Sequence, residues 1–449
     1  MRRTFRSWKP QASTSSFTQT TCCAPPIRRC RRCRRTSCDT AERRRSKTPA
    51  CRLTRSLTSF LGPDKVLGKA IIDTFVAQGC EFFTGVPDSV LAGFCAECEQ
   101  LQNPRTHVVS ANEGNAIGLA LGWWFARGTV PVVYMQNSGF SNALNPLLSA
   151  AHVGAYATPM VLLVGWRGMP GHKDEPQHRI KGEITAELAS LCKFDTFVLK
   201  DDATAVGMIA DAVSTALRNF VPTVVLVPPG FVPASKKDTP PNACLWSRTD
   251  AISALLDEVA DDDALIATTG HIGRDVHGQL ESRGRSPAQS FLCVGAMGHA
   301  SQIAAGVAMA QPRRRVWCFD GDGAFLMHLG GAALIGGSNL PNLVHVVLNN
   351  GAHASVGGMA TCAPKTNLRD VASALGYRQS YQISNLNDLK AMRSIGAGSS
   401  PSFVEVMISA DQGGQLGRPP EPLRLLSSAF QSFCLDINGV AGEWRRRVS

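Results

Sequence analysis

Glycines bracket an acid in Phe319-Asp320-Gly321-Asp322-Gly323-Ala324, and the run Leu348-Asn349-Asn350-Gly351 begins 25 residues after Gly323. Glycine on both sides of Asp322 lets the main chain approach a diphosphate closely, and the amides that open a helix at Ala324 can donate to its oxygens. A hard cation bridging that diphosphate takes oxygen ligands, so the Asp322 carboxylate, an asparagine amide oxygen and a main-chain carbonyl suit six-coordinate Mg2+. Gly-Asp-Gly alone is a common turn and Asn-Asn-Gly a common loop; their pairing across a helix and two strands carries the weight. A further acid, Glu113 in Ser110-Ala111-Asn112-Glu113-Gly114-Asn115-Ala116, stands where a strand gives way to a small-residue helix, a place the helix dipole also favours for a carboxylate. The stretch Gly165–His178 concentrates Arg167, His172, Lys173 and His178, four potential cationic donors suited to a compact polyanion. It lacks the Gly-Lys-Ser/Thr of a Walker motif.

These residues need strand ends and helix starts to hold them. From Gly62 onward amphipathic segments alternate with short β-rich runs. Helices are expected at Lys65–Gln78, Asp88–Gln100, Glu113–Arg127, Asn142–His152, near Ile184–Lys193 and at Ala203–Asn219. Strands are expected at Glu81–Thr84, His107–Ser110, Val130–Met135, Met160–Val164, Thr196–Leu199 and Thr223–Val227. After a Pro- and Lys-rich linker come strands Ala264–Thr268, Ser290–Val294, Val316–Cys318, Leu343–Leu348, Arg378–Gln382 and Ser402–Met407, with helices at Asp250–Val259, His299–Met309, Ala324–Ile335, Asn367–Leu375 and around Leu386–Ser394. Alternation of this kind makes α/β domains with two doubly wound, mostly parallel sheets. The expected division is a basic extension at 1–60, a first domain at 61–228, a linker at 229–247, a second domain at 248–412 and an irregular appendage at 413–449.

Charge and composition exclude other classes. The formal net charge of +11 is local, because residues 1–55 hold 16 Lys/Arg against Asp39 and Glu42 alone. The remainder is slightly acidic, without the basic face that a phosphate backbone needs, so no nucleic-acid partner is expected. No apolar run reaches the roughly 20 residues of a membrane span. The tail cannot bury enough surface to order itself and resembles an organellar transit peptide, which leaves a cytoplasmic or organellar site open. Of 15 cysteines, six lie in that tail and nine are scattered through an apolar body, a pattern of small hydrophobes in a reducing compartment. Cys30-x-x-Cys33 has no second ligand pair and is a poor metal signal.

The Gly-Asp-Gly and Asn-Asn pair resembles the thiamine-diphosphate enzymes. That resemblance implies Mg2+ held by Asp322, the Asn350 side chain and the Ala352 carbonyl, with Asn349 an alternative to Asn350, and a diphosphate cradled by Gly321, Gly323 and Ala324. It implies that Glu113 bonds N1′ of the aminopyrimidine and so promotes loss of the thiazolium C2 proton. In Gly295-Ala296-Met297-Gly298 it makes Met297 the apolar wedge beneath the cofactor and the Gly295 carbonyl an acceptor for the 4′-amino group. With Gly85-Val86-Pro87-Asp88-Ser89, Gln136 to Asn142, the Arg167–His178 loop and Asn350 to Gly358, the chain is similar over roughly Gly62–Ile408 to the phosphonopyruvate decarboxylase family. This implies a small 2-oxo acid with a phosphonate group as substrate, Asp88, Asn137, Arg167, His172, Lys173 and His178 as its binding residues, and a homodimer or dimer of dimers with its site between subunits. Sulfopyruvate decarboxylase and a non-catalytic binding subunit are the rival readings. Residues Met359–Lys365 match the family less well.

Overall fold

The computed structural model describes residues 66–101, 106–233, 246–391, 400–410, 417 and 419–436. The basic segment, the 234–245 part of the linker and the last thirteen residues, on which several expectations fall, lie outside them. Strands β1 (Phe83–Gly85), β2 (His107–Val109), β3 (Val132–Gln136), β4 (Val161–Gly165), β5 (Thr196–Val198) and β6 (Thr223–Val227) form one sheet in the order β2-β1-β3-β4-β6-β5. A second sheet orders β7 (Ala264–Ala267), β8 (Ser290–Leu292), β9 (Val316–Gly321), β10 (Leu343–Asn349), β11 (Gln379–Ile383) and β12 (Ser402–Met407) as β11-β12-β10-β9-β7-β8. Every pairing within both sheets is parallel.

Side-chain alternation explains why the strands read as unbroken apolar runs. On β3, Val132 and Tyr134 join one core cluster while Val133 and Met135 join another on the opposite face. On β9, Val316 and Cys318 point one way and Trp317 and Phe319 the other. Each sheet is thus covered on both sides, as crossover helices require.

Several elements depart from the expected pattern, and two of the departures shape the site. The helix expected at Ala324–Ile335 breaks at His328, whose backbone (φ −128°, ψ 50°) separates Asp322–Met327 from Leu329–Gly336. The one expected at Asn142–His152 starts instead at Asn137, directly off β3, and ends in a wide turn at Leu147–Ala151 after Pro146. Pro176 opens the helix Pro176–Leu191 earlier than expected, since a proline's missing N–H costs nothing in a first turn. His271–Ser282 is a helix without a sequence forecast; its outward face is polar, and Gly270 at φ 88° starts it.

Beyond residue 413, where no pattern was expected, Leu423–Asp436 is helical. Its Phe430 is buried against Phe291 with ring centroids 5.7 Å apart, and the buried Arg314 donates to the Phe433 carbonyl at 2.9 Å while lying 4.3 Å over the Phe433 ring. Leu423, Leu426, Phe430 and Phe433 recur at helical spacing, an apolar stripe present in the sequence although no element was expected there, and Phe430, Phe433 and Cys434 seat the helix on the core. Phe430→Ala should therefore cost about 3 kcal/mol in a denaturant titration; a change within about 0.5 kcal/mol would mean that the helix adds nothing to the core.

Candidate active site

Asp322 begins its helix at the carboxyl end of β9 and is buried. A cavity of about 100 Å³ beside it is lined by Gly321, Asp322, Gly323, Ala324, Asn350, Ala352 and Met297, which brings the separate motifs to one place. Burial pushes the Asp322 carboxyl up to about 6, although the Thr361 hydroxyl and the Gly323 amide donate to it. A buried carboxylate that is costly to ionise alone, next to glycines and an amide oxygen, is a donor set suited to a hard cation. Asn350 Oδ1 accepts from Ala352 N at 3.1 Å. Asn349, the other expectation, is buried at the end of β10 and donates to Glu405 Oε1 at 2.7 Å, away from this cavity. Gly323 is needed for packing here: a Cβ on it would meet the His353 ring at 2.8 Å.

Glu113 lines a larger cavity of about 810 Å³ together with Gly295 and Met297. Where a site between subunits was expected, one chain brings both Glu113 and Met297 to the same space. Glu113 is buried, its Oε2 accepts from Asn142 Nδ2 at 2.7 Å, and a Cβ on Gly139 would lie 2.4 Å from its Oε1. The early start of the helix at Asn137 is what puts both neighbours there. Asn112 caps the Glu113 helix by accepting from Gly114 N at 2.8 Å, and its Nδ2 donates to the Met327 carbonyl at 3.3 Å, fastening the two sheets together beside the cavity. The Met359–Lys365 stretch is a second fastening: Met359 is buried in the core cluster of the first sheet, and Thr361 reaches Asp322.

The loop cations behave differently from one another. Arg167 lines the large cavity but is gripped by Asp174 through Nε at 2.8 Å and Nη2 at 2.6 Å, with Nη1 on Ser89 Oγ at 2.9 Å. Although burial opposes it, that grip and the amides of Glu175 and Gly168 hold Asp174 well below the usual carboxylate range. His178 also lines the cavity, yet burial and the repulsion of Arg167 bring it down to about 4, so it is neutral at pH 7. His172 and Lys173 are exposed and line neither cavity. Asp88 lies buried behind the wall, bonded by Gln136 Nε2 at 2.8 Å and Val90 N at 3.0 Å. Asn137 is likewise buried, donating to the Arg167 carbonyl at 2.8 Å and so fixing that turn.

Other residues join the site without a sequence signal. Lys181 and Arg274 line the large cavity, as do His299 and His328. Burial lowers the Lys181 ammonium below its ordinary value, with Glu113 pulling the other way. Arg274 stands 3.7 Å from Glu175. Arg248 lines the small cavity and is braced by a buried ion pair with Asp275. Lys181 could have been found, since it lies one helical turn beyond His178 on the same face.

Comparisons with known proteins fit this geometry. The thiamine pyrophosphate enzyme N-terminal TPP binding domain matches residues 65–190, and the C-terminal TPP binding domain matches residues 278–406. Phosphonopyruvate decarboxylase of Streptomyces viridochromogenes is 34% identical over 79% of this chain and 91% of its own length, and that of Streptomyces hygroscopicus is 33% identical over 80% and 91%. Sulfopyruvate decarboxylase of Methanosarcina acetivorans is 25% identical over 69% of this chain and 84% of its own. With two parallel sheets whose strand ends carry the motifs, and two cavities that share Met297 and His353, the chain belongs to the thiamine-diphosphate-dependent decarboxylases, in the family of phosphonopyruvate decarboxylase.

Proposed function

We propose that this decarboxylase converts 3-phosphonopyruvate to phosphonoacetaldehyde and CO2, consuming one proton, with Mg2+ anchoring thiamine diphosphate, as a step of phosphonate biosynthesis. The observation that carries the reading is a single cavity in which Glu113, Gly295 and Met297 face the cations Arg167, Lys181 and Arg274. A small substrate with two acidic groups suits such a lining, and similarity to the two Streptomyces enzymes supports the choice.

Asp322, Asn350 and the Ala352 carbonyl would hold Mg2+, and Gly321, Gly323 and Ala324 would leave room for the diphosphate. Bound there, the cofactor supplies a sink for the electron pair left when CO2 departs. Glu113 would hold a proton at N1′ of the aminopyrimidine, a role its burial and its Asn142 hydrogen bond keep in register. Met297 would support the ring from below while Gly295 offers its carbonyl to the 4′-amino group. A homodimer or dimer of dimers accords with the exposed Phe125, Tyr156 and Leu191, apolar surface that a second copy would cover.

Purified enzyme loaded with thiamine diphosphate and Mg2+ and offered phosphonopyruvate, sulfopyruvate and pyruvate should release CO2 fastest from the first. Faster turnover of sulfopyruvate would replace the substrate assignment. The loop cations give a further test. Lys173→Ala should change kcat/KM for phosphonopyruvate by less than about twofold, as for a solvated charge. Arg167→Ala, which leaves Asp174 without its partner, should reduce turnover of all three acids together. A selective loss with phosphonopyruvate alone would instead make Arg167 a direct contact.

A further inference from the structure

His299 and His328 come from different elements and meet in the wall of the large cavity, with ring centroids 4.5 Å apart and planes tilted by 58°. His328 reaches the cavity because its helix breaks there. The loop before His299 makes room for it: Gly298 adopts φ 82°, and a Cβ at that position would lie 2.5 Å from His328 Cδ2. His299 Nδ1 lies 3.1 Å from the Met297 carbonyl. A carbonyl only accepts, so Nδ1 carries the hydrogen, and Nε2 is the basic nitrogen of the neutral ring. Two imidazoles are therefore seated beside the apolar wedge, one with its tautomer set by the main chain.

Resting on the phosphonopyruvate assignment above, we infer that His299 and His328 form the seat of the phosphonate group and select it over a sulfonate. A phosphonate, like a phosphate ester, loses its second proton near neutrality. Its monoanion can hand that proton from P–OH to His299 Nε2, leaving a dianion against an imidazolium with no net proton exchanged with solvent. A sulfonate has no such proton, so the same contact would require the ring to draw one from water. The charged groups lining the cavity with this pair are Glu113, Asp174, Glu175 and Glu421 and the cations Arg167, Lys181 and Arg274; of these Glu113 acts on His328 and favours a cationic ring. Burial and the neighbouring His299 lower His328 from its ordinary value while Glu113 opposes them, so an arriving dianion relieves a strained pair.

The test uses enzyme loaded with thiamine diphosphate and Mg2+, and His299→Asn and His328→Asn, both at positions open enough to accept asparagine. Each variant should lower the ratio of kcat/KM for phosphonopyruvate to that for pyruvate by about ten- to a hundredfold, mainly through KM. Equal losses for both acids, or no loss, would overturn the inference. Calorimetric binding of 3-phosphonopropionate, which cannot be decarboxylated, gives a reading independent of turnover. Binding at least tenfold weaker in both variants than in the wild type supports the seat, and equal binding overturns it. If wild-type enzyme turned over sulfopyruvate but not phosphonopyruvate, the substrate assignment and the selection for phosphonate would both fall; turnover of phosphonopyruvate with 3-phosphonopropionate binding unchanged in both variants would overturn the seat alone.

Discussion

Glu113→Gln is expected to keep thiamine diphosphate bound and to slow CO2 release by about 100- to 10,000-fold, the range associated with a positioned acid or base. Glutamine matches glutamate in shape, and its carbonyl can accept the Asn142 hydrogen bond that Glu113 Oε2 accepts at 2.7 Å. The amide can donate a hydrogen bond to N1′ but can neither transfer a proton to it nor take one up. Cofactor binding, read by equilibrium dialysis, should therefore change little, while exchange of the C2 hydrogen with deuterated solvent should fall in step with turnover. Exchange at the wild-type rate would show that Glu113 is only a helix first-turn acid. Gly139→Ala would complement this result: it leaves the carboxylate in place but puts a methyl where Glu113 Oε1 now lies, so it should impair turnover through geometry alone.

The central strands were legible because parallel sheets buried on both faces leave apolar runs in the sequence, whereas the edge strand β11, Gln-Ser-Tyr-Gln-Ile, is polar and only half-buried and was placed by the alternation around it. The Asp322 and Asn350 motifs were legible because each is a short run of glycines and oxygen-bearing side chains, and the fold brings both to one small cavity. The anion contacts were much less so. Arg167, His172, Lys173 and His178 are close in sequence, yet one is gripped by Asp174, one is neutral by burial and two are exposed. Charge counting along a loop cannot show which side chains turn inward or which are already paired. Arg167 and His178 are joined in the cavity wall by Lys181, Arg274, His299 and His328, which come from four separate elements. His328 in particular was hidden within a run that reads as one continuous helix, since the position itself is neither proline nor glycine; its ring packs close to Gly298.

Asp322→Asn should abolish Mg2+-dependent retention of thiamine diphosphate and, in the cofactor-free protein, raise thermal stability at pH 8. The two effects have one cause. Burial holds the Asp322 carboxyl near 6 in the folded chain, whereas an unfolded aspartate sits at about 3.9. Between those values the folded state keeps a proton that the unfolded state has released, so stability falls as pH rises through about 4 to 6 and stays lowered above it. Asparagine carries no charge to bury and escapes that loss. The variant's Tm should thus exceed the wild type's at pH 8, with the gap closing as pH approaches 4. Mg2+ with thiamine diphosphate should reverse the order, because binding to the folded state stabilises the wild type and the cation satisfies the buried charge. Losing a supporting group around a metal costs roughly 10- to 100-fold in affinity, and losing Asp322, among the described residues the only carboxylate lining the small cavity, should exceed that, so the variant should emerge from gel filtration without cofactor. An equal Tm increase on adding Mg2+ and thiamine diphosphate to both proteins would place the cation elsewhere.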